Sequence, residues 1–431
     1  MRVTNLLELQ KALETEGKEI EILNSISSPD TIKVKKGTKL IGRGEKIFLS
    51  FINTEGISLE GDNEIKNISI QTKPENRAIY LNSQDENLGT INIEDTTITG
   101  VVQLMTRGSN KNLKLNIKNM DIVSADARRF SEKPQKYGVN VYQGALTIYN
   151  YNSNKDSDIE VSIEGVSIGR ENAPAIGSGI FISGFNDDGG KVLVKKLVTE
   201  DIFSNGMIPF GQPNLITGGI FILNGAYAEE IISNGTVETY GVNDMGLDVW
   251  GKVSRWIVND KIKSYGPSGI GFVNFGEVEY FETNDSIETY GLGARGFNQY
   301  DGTIKEAYFD SIKTVGDGSI GMQFSKPVGK IVIKKDVTTK GSSGETLVKG
   351  VIMNLFADGI SVKEGGEIEE LIVKGNIETN GSDVVSYHLD GGFVKSFSID
   401  GEIEAKGKGA KTVVIENGGK TDTENLKKYI D

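Results

Sequence analysis

Three groups of residues carry chemistry by their type and spacing. The first is an adjacent acidic pair, Asp187 and Asp188, in "FNDDGG". Cleaving a glycosidic bond takes two carboxyl groups in different environments, one protonated and one ionised. Neighbours in a turn can differ in that way, and "NDDGG" is equally an ordinary turn. The second group is cationic. Between residues 107 and 136, eight Lys and Arg side chains, Arg128 and Arg129 among them, stand against three carboxylates. The local charge is +5 in a chain of −13, and Arg170 follows on a later segment. Arg grips a carboxylate through two parallel hydrogen bonds, so this run reads as an anion site or as a solvated turn. The third group is a column. Trp250, Phe275 and Tyr300 recur every 25 residues, with Asp248, Asn298 and Gln323 on the same face and Arg295 near the corner. Aromatic faces beside carboxylate and amide groups suit stacking on a sugar ring and hydrogen bonds to its hydroxyls. With Phe181, Phe221 and Leu223 on other segments, the same column also suits a covering loop or an interface in a homodimer or homotrimer.

Composition removes several alternatives. There is no cysteine, hence no disulfide and no thiolate metal site, and the single histidine, His388, leaves no His cluster. Beside Tyr387 and Asp390, His388 reads as a surface or ladder residue. No cofactor is indicated; a Ca2+ ion is compatible with the chain but nothing points to one. A net charge of −13 repels nucleic acid on average. No apolar run reaches the roughly 18–20 residues that span a bilayer. The opening "MRVTNLLELQKALETEG" has Glu8 inside its apolar run, so it reads as an amphipathic helix over about 4–15, N-capped by Thr4, and not as a signal peptide. A cytoplasmic location is the expectation for the chain as given, with secretion or a place in a virion as alternatives.

A repeat positions these groups. Val237, Ile262, Ile287, Ile312 and Val337 are spaced by 25, and four residues after each stands Gly241, Gly266, Gly291, Gly316 or Gly341. A second column holds Gly246, Gly271, Gly296 and Gly321, followed by Leu247, Phe272, Phe297 and Met322. Alternation within "VETYG" sends successive side chains to opposite faces, and Gly241 is expected to supply the unusual backbone angles of a sharp corner. A repeat of this length with three short strands is one coil of a parallel β-solenoid. Stacked coils put Leu247, Phe272, Phe297 and Met322 in a buried ladder. They put Glu238, Lys263, Glu288 and Lys313 in an exposed ladder of alternating charge, and Tyr240, Tyr265 and Tyr290 in a stack.

The expected organisation is one all-β domain over 1–431. It has an N-terminal cap at 1–20, irregular coils at 21–236, regular coils at 237–341, final coils at 342–420 and a C-terminal cap helix at 421–431. Four segments depart from the regular coil: 124–138, 169–179, 205–219 and one near 342–366. The first three are expected to emerge on one side and wall a groove.

The capping helix, "TIKVKKGTKLIGRG", "ISLEGDNEIKNISI" and the three-strand coils resemble the right-handed parallel β-helix proteins of the pectate-lyase-like superfamily. The resemblance lies in pattern over nearly the whole chain; no Gly-His-Gly of the polygalacturonases is present, and no specific enzyme family is matched. It implies a carbohydrate partner and a polysaccharide lyase or glycoside hydrolase if the chain is an enzyme. In the lyase form Arg128, Arg129 or Arg170 would neutralise a uronate carboxylate; in the hydrolase form Asp187 and Asp188 would divide acid and base roles. Asp248, Trp250, Arg295, Asn298 and Tyr300 are the further candidates for contact with a sugar. The alternative is a non-catalytic solenoid serving in binding, scaffolding or assembly.

Overall fold

In the computed structural model, Val237, Ile262, Ile287, Ile312 and Val337 stand one above another in parallel register. The 25-residue period is therefore the circumference of one coil. The structure describes residues 1–209, 211–348 and 351–429. They form two units: Met1–Pro134 with Tyr142–Ser204 and Phe221–Ile231, and Gln135–Val141 with Asn205–Ile220 and Ile232–Asp431. Each is built as a parallel β-helix.

In the second unit a coil consists of three short strands, such as Val237–Thr239, Asp244–Val249 and Lys252–Val258. The middle strands pair so that Leu247, Phe272, Phe297 and Met322 form one ladder, and all four are fully buried. Their burial contributes about 1.5–3 kcal/mol for each side chain. Glu238, Lys263, Glu288 and Lys313 align as expected, though Glu238 is buried rather than exposed, in an ion pair with Lys263. Above them Tyr240, Tyr265 and Tyr290 stack at 5.2 and 4.9 Å.

The glycine columns work differently from the expectation. None of Gly241, Gly266, Gly291 and Gly316 has a positive φ; a Cβ on Gly266 would instead lie 1.7 Å from the carbonyl oxygen of Gly241 in the coil before it. Close stacking of the corners excludes a side chain there. The left-handed position comes two residues later, at Asn243, Ser268, Gly293 and Gly318, with φ of 51, 56, 62 and 65°. Asn and Ser tolerate it through their short polar side chains. Gly246, Gly271, Gly296 and Gly321 face inward under a β-branched side chain of the first strand, Ile262, Ile287, Ile312 or Val337. With Gly246 and Leu247 both facing in, Met245 and Asp248 are left for the outer face.

In the first unit the wall strands are longer, as in Glu64–Gln71, Asn87–Thr99, Asn112–Ser124 and Asp158–Ile168. Each bends at one left-handed residue, Asn67, Asp95, Asn119 or Gly165. The N-terminal helix spans Leu6–Ala12, and its cap is Asn5, not Thr4: the Asn5 side chain accepts from the Glu8 N–H at 3.0 Å. Thr4 serves the other side, its backbone N–H donating to the Glu8 carboxylate at 2.7 Å.

The expected C-terminal helix is replaced by a strand, Lys420–Thr421, and a single 3-10 turn, Glu424–Leu426. Pairing of Thr421 with Val394 takes the first residue of the expected helix into the sheet. Its last two residues, 430 and 431, lie outside the described residues.

Candidate functional site

The outer face of the middle strands in the second unit is not bare. Residues 135–141 form a tight hairpin, Gln135–Lys136 antiparallel to Val139–Val141, turning on Tyr137 and Gly138. Both turn residues have positive φ, 54 and 83°, the pattern of a two-residue hairpin whose twist matches its strands. Val139–Val141 also pairs in parallel with Leu215–Ile222, through Asn140 and Val141. The segment around 205–219 is tied down by its neighbours. The buried Asp244 carboxylate accepts from the N–H groups of Gly206 and Gly241 at 3.1 and 3.0 Å, and Asn243 donates to the Gln212 carbonyl at 3.0 Å. Burial pushes the Asp244 carboxyl up to about 7 against those bonds. Residue 210 lies outside the described residues.

The hairpin lays Tyr137 over the aromatic column. Its ring stacks on Phe275 at 4.4 Å, meets Trp250 edge-on at 5.5 Å, and its hydroxyl donates to the Phe275 carbonyl at 3.2 Å. Phe275 in turn stacks on Tyr300 at 5.1 Å. Between hairpin, loop and strands is a cavity of about 90 Å³. Its apolar wall includes Ile216, Met245, Ile270, Val273 and Phe275; its polar groups include Asp248 and Arg295.

Those polar groups lack partners. Asp248 is 1% exposed and neither carboxylate oxygen is hydrogen-bonded. Arg295 is 5% exposed; its Nε has no partner, and Nη1 makes only a 3.5 Å contact to the Gly293 carbonyl. Asn298, two rungs along the ladder from Asp248, has both side-chain polar atoms buried and unpartnered, as is the Trp250 indole N–H. A buried polar atom left unpaired costs about 1–3 kcal/mol, so four such residues on one face ask for a ligand or for water. Burial pushes the Asp248 carboxyl well above the usual range, and the nearby Trp250 indole N–H, short of a well-formed hydrogen bond, pulls the other way. Burial thus favours the protonated form of this carboxyl.

Sequence reasoning placed Asp248, Trp250, Arg295, Asn298 and Tyr300 on one face; the structure lines the cavity with Asp248, Arg295 and Tyr300, while Asn298 and Trp250 are buried beyond its lining. It missed Tyr137, whose one signal was a "YG" turn between "EKPQK" and "VNV". Of the two readings of the column as an apolar stripe, a covering segment or an interface between copies, the structure shows cover, by the 135–141 hairpin: Trp250 is buried against Tyr137, and in the first unit Phe181, Phe221 and Leu223 are buried too.

The other candidates lie elsewhere. Asp187 and Asp188 are exposed on the turn closed by the Gly189 N–H to the Phe185 carbonyl, and do not line the cavity. Each arginine of the cationic run is already held by a carboxylate. Arg128 forks onto Asp126 at 2.9 and 2.7 Å, Arg129 pairs with Glu55, and Arg170 forks onto Asp121 at 2.9 and 2.8 Å. The local excess of +5 is reduced by three carboxylates from neighbouring coils, Glu55, Glu86 and Glu160. Of the segments expected to wall one groove, the hairpin end of the first and the 205–219 loop share the cavity. Residues 169–179 instead pack on Asp126 in the first unit, through Ile176.

His388 is half-buried between two carboxylates, Nδ1 to Asp358 at 2.8 Å and Nε2 to Glu416 at 3.0 Å. Among the described residues no cluster of three or more His, Cys, Asp or Glu could hold a metal ion, and no helix is long and apolar enough to cross a membrane. Comparison with protein-family models, with curated proteins and with solved structures finds no match to this chain.

Proposed function

We propose that the chain binds a carbohydrate, and that the cavity beneath the 135–141 hairpin is where it does so. One observation carries this reading: buried Asp248 and Arg295, each with polar atoms left unpartnered, line the cavity beside the stacked rings of Phe275 and Tyr300. A sugar answers both halves of that surface. Its C–H faces stack on aromatic rings, and its hydroxyls both donate and accept, satisfying a carboxyl and a guanidinium together. The resemblance to pectate-lyase-like proteins adds weight to a carbohydrate partner, by analogy of fold alone.

The size of the cavity limits what enters. At about 90 Å³ it is smaller than the ~150 Å³ cavity that takes up benzene. A monosaccharide or the end of a chain would enter by one edge, or with Tyr137 displaced. Binding is favoured over cleavage, because Asp248 is the one carboxyl group on the lining and glycosidic hydrolysis uses two.

The test is a titration of the whole chain with a panel of neutral and acidic monosaccharides, followed by tryptophan fluorescence. Trp250 packs edge-on against Tyr137 of the pocket lining and Trp256 is sealed in the core, so a bound ring that moves Tyr137 should change the Trp250 contribution. Phe275→Ala and Asp248→Asn should each weaken binding at least tenfold. A wild-type protein that binds no sugar at millimolar concentration would sink the reading.

A further inference from the structure

Arg295 differs from the arginines of the cationic run. Arg128, Arg129 and Arg170 each meet a carboxylate. Arg295 is the more deeply buried, yet among the described residues it forms no ion pair, and its one hydrogen bond is the 3.5 Å contact to Gly293. A buried carboxylic acid such as Asp248 can relieve its burial by keeping its proton; a guanidinium cannot. Burying a charge without a countercharge is among the costlier things a fold does. The position is not forced by the repeat, because Met245, Ile270 and Ile320 occupy the same rung in neighbouring coils without charge.

We propose that Arg295 receives a carboxylate carried on a small ring-shaped ligand, while Asp248 hydrogen-bonds the ligand's other polar groups. The planar fork of a guanidinium matches a carboxylate through two parallel bonds. A carboxylate fits better than a phosphate, whose second negative charge would stay buried opposite a single cation. Asp248 is the one carboxyl group on the lining, and its protonated form, which burial favours, does not compete for the guanidinium. The walls set the rest of the ligand: Ile270, Val273 and Phe275 accept a ring's apolar face. The inference shares its site with the sugar reading, but the carboxylate could belong to an acidic sugar or to a plain ring acid.

Calorimetric titration of the full chain separates the two. The probes are glucuronate and galacturonate, the neutral glucose and galactose, and cyclohexanecarboxylate. Acidic probes are expected to bind, neutral ones to bind more weakly, and Arg295→Gln to weaken the acids by about thirtyfold or more, as losing one partner of a buried pair does. If cyclohexanecarboxylate binds and the sugar acids do not, the carboxylate site stands and the sugar reading falls. If neutral sugars bind as well as the acids, or Arg295→Gln changes nothing, the sugar reading survives and the carboxylate site falls. Failure of every acid to bind overturns it too. A second measurement does not depend on any probe: thermal unfolding of ligand-free Arg295→Met. Replacing an unpaired buried charge by an apolar side chain should leave Tm unchanged or raise it; a drop of several degrees would mean the guanidinium is already satisfied, against the proposal.

Discussion

Gly271 faces the side chain of Ile287 across the interior of the coil: a Cβ added to it would stand 2.1 Å from Ile287 Cγ2. The same clash recurs at Gly296 against Ile312, at 2.3 Å. The glycine leaves room for a β-branched residue on the first strand, and because it faces in beside Phe272 it leaves Ile270 and Val273 to line the outer pocket. Gly271→Ala should therefore destabilise the protein by about 1–3 kcal/mol, the usual cost of overpacking a core. Denaturant unfolding would show it. In the double variant with Ile287→Ala, the combined loss should be less than the sum of the two, since removing Cγ2 relieves the closer of two clashes, the other being with the Gly296 carbonyl oxygen at 2.6 Å. Strict additivity would mean the clash is relieved some other way.

The regular coils were legible because nothing interrupts them between Val237 and Val337. One register fixes which residues stack, and with it the grouping of Asp248, Trp250, Arg295, Asn298 and Tyr300. What covers that face was not legible. Tyr137 lies more than a hundred residues upstream of Phe275, and no periodicity links a hairpin tip to the coil it lands on. The cationic run was misread for a related reason. Counting charge along a window sees Arg129 but not Glu55, which is close only because coils stack. The corner glycines show a subtler limit: a glycine column can mean a left-handed backbone or a close approach, and here the left-handed residues were Asn243 and Ser268.

Tyr137 combines a left-handed backbone, unfavourable for a bulky side chain, with stacking on Phe275. Its ring must supply more than the strain costs. Tyr137→Gly removes both strain and ring, whereas Tyr137→Ala removes the ring alone. Tyr137→Ala should be the less stable of the two, by about 1 kcal/mol. Both should shift Trp250 emission to the red as water reaches the indole. Equal stability for the two variants would show that the backbone there is not strained.

His388 makes part of the stability depend on pH. Burial opposes its charge, but the bonds to Asp358 and Glu416 outweigh it and hold the imidazole above its ordinary value of 6.5. Lys363 acts against the charge as well. A group whose folded pKa is raised gives stability that is fully present below the unfolded value and is lost as pH rises through the folded one. The wild type should therefore lose this contribution above about pH 6.5. In His388→Gln it should be absent throughout, so the stability gap between the two proteins narrows from pH 6 to pH 8. Urea unfolding across that range would show it, and a constant gap would count against the two carboxylate bonds.

Asp248 has the same sign. Burial holds its carboxyl well above the ordinary value of 3.8, to which it returns once unfolded. The stability of the folded form is thus full below that value and falls as pH rises toward the folded pKa, by about 1.4 kcal/mol for each pH unit from this one group. Asn has nearly the same shape and never ionises. Asp248→Asn should match the wild type near pH 4 and become steadily more stable than it as the pH approaches neutrality. Asp244, raised to about 7 by its own burial, tilts both proteins in the same direction and so drops out of the difference. Binding should move the opposite way, with Asp248→Asn weaker for a ligand that needs the carboxyl as both donor and acceptor. A variant that is more stable yet binds less marks a residue kept for its ligand; a variant less stable than the wild type at pH 7 would show that the carboxyl is already paired within the fold.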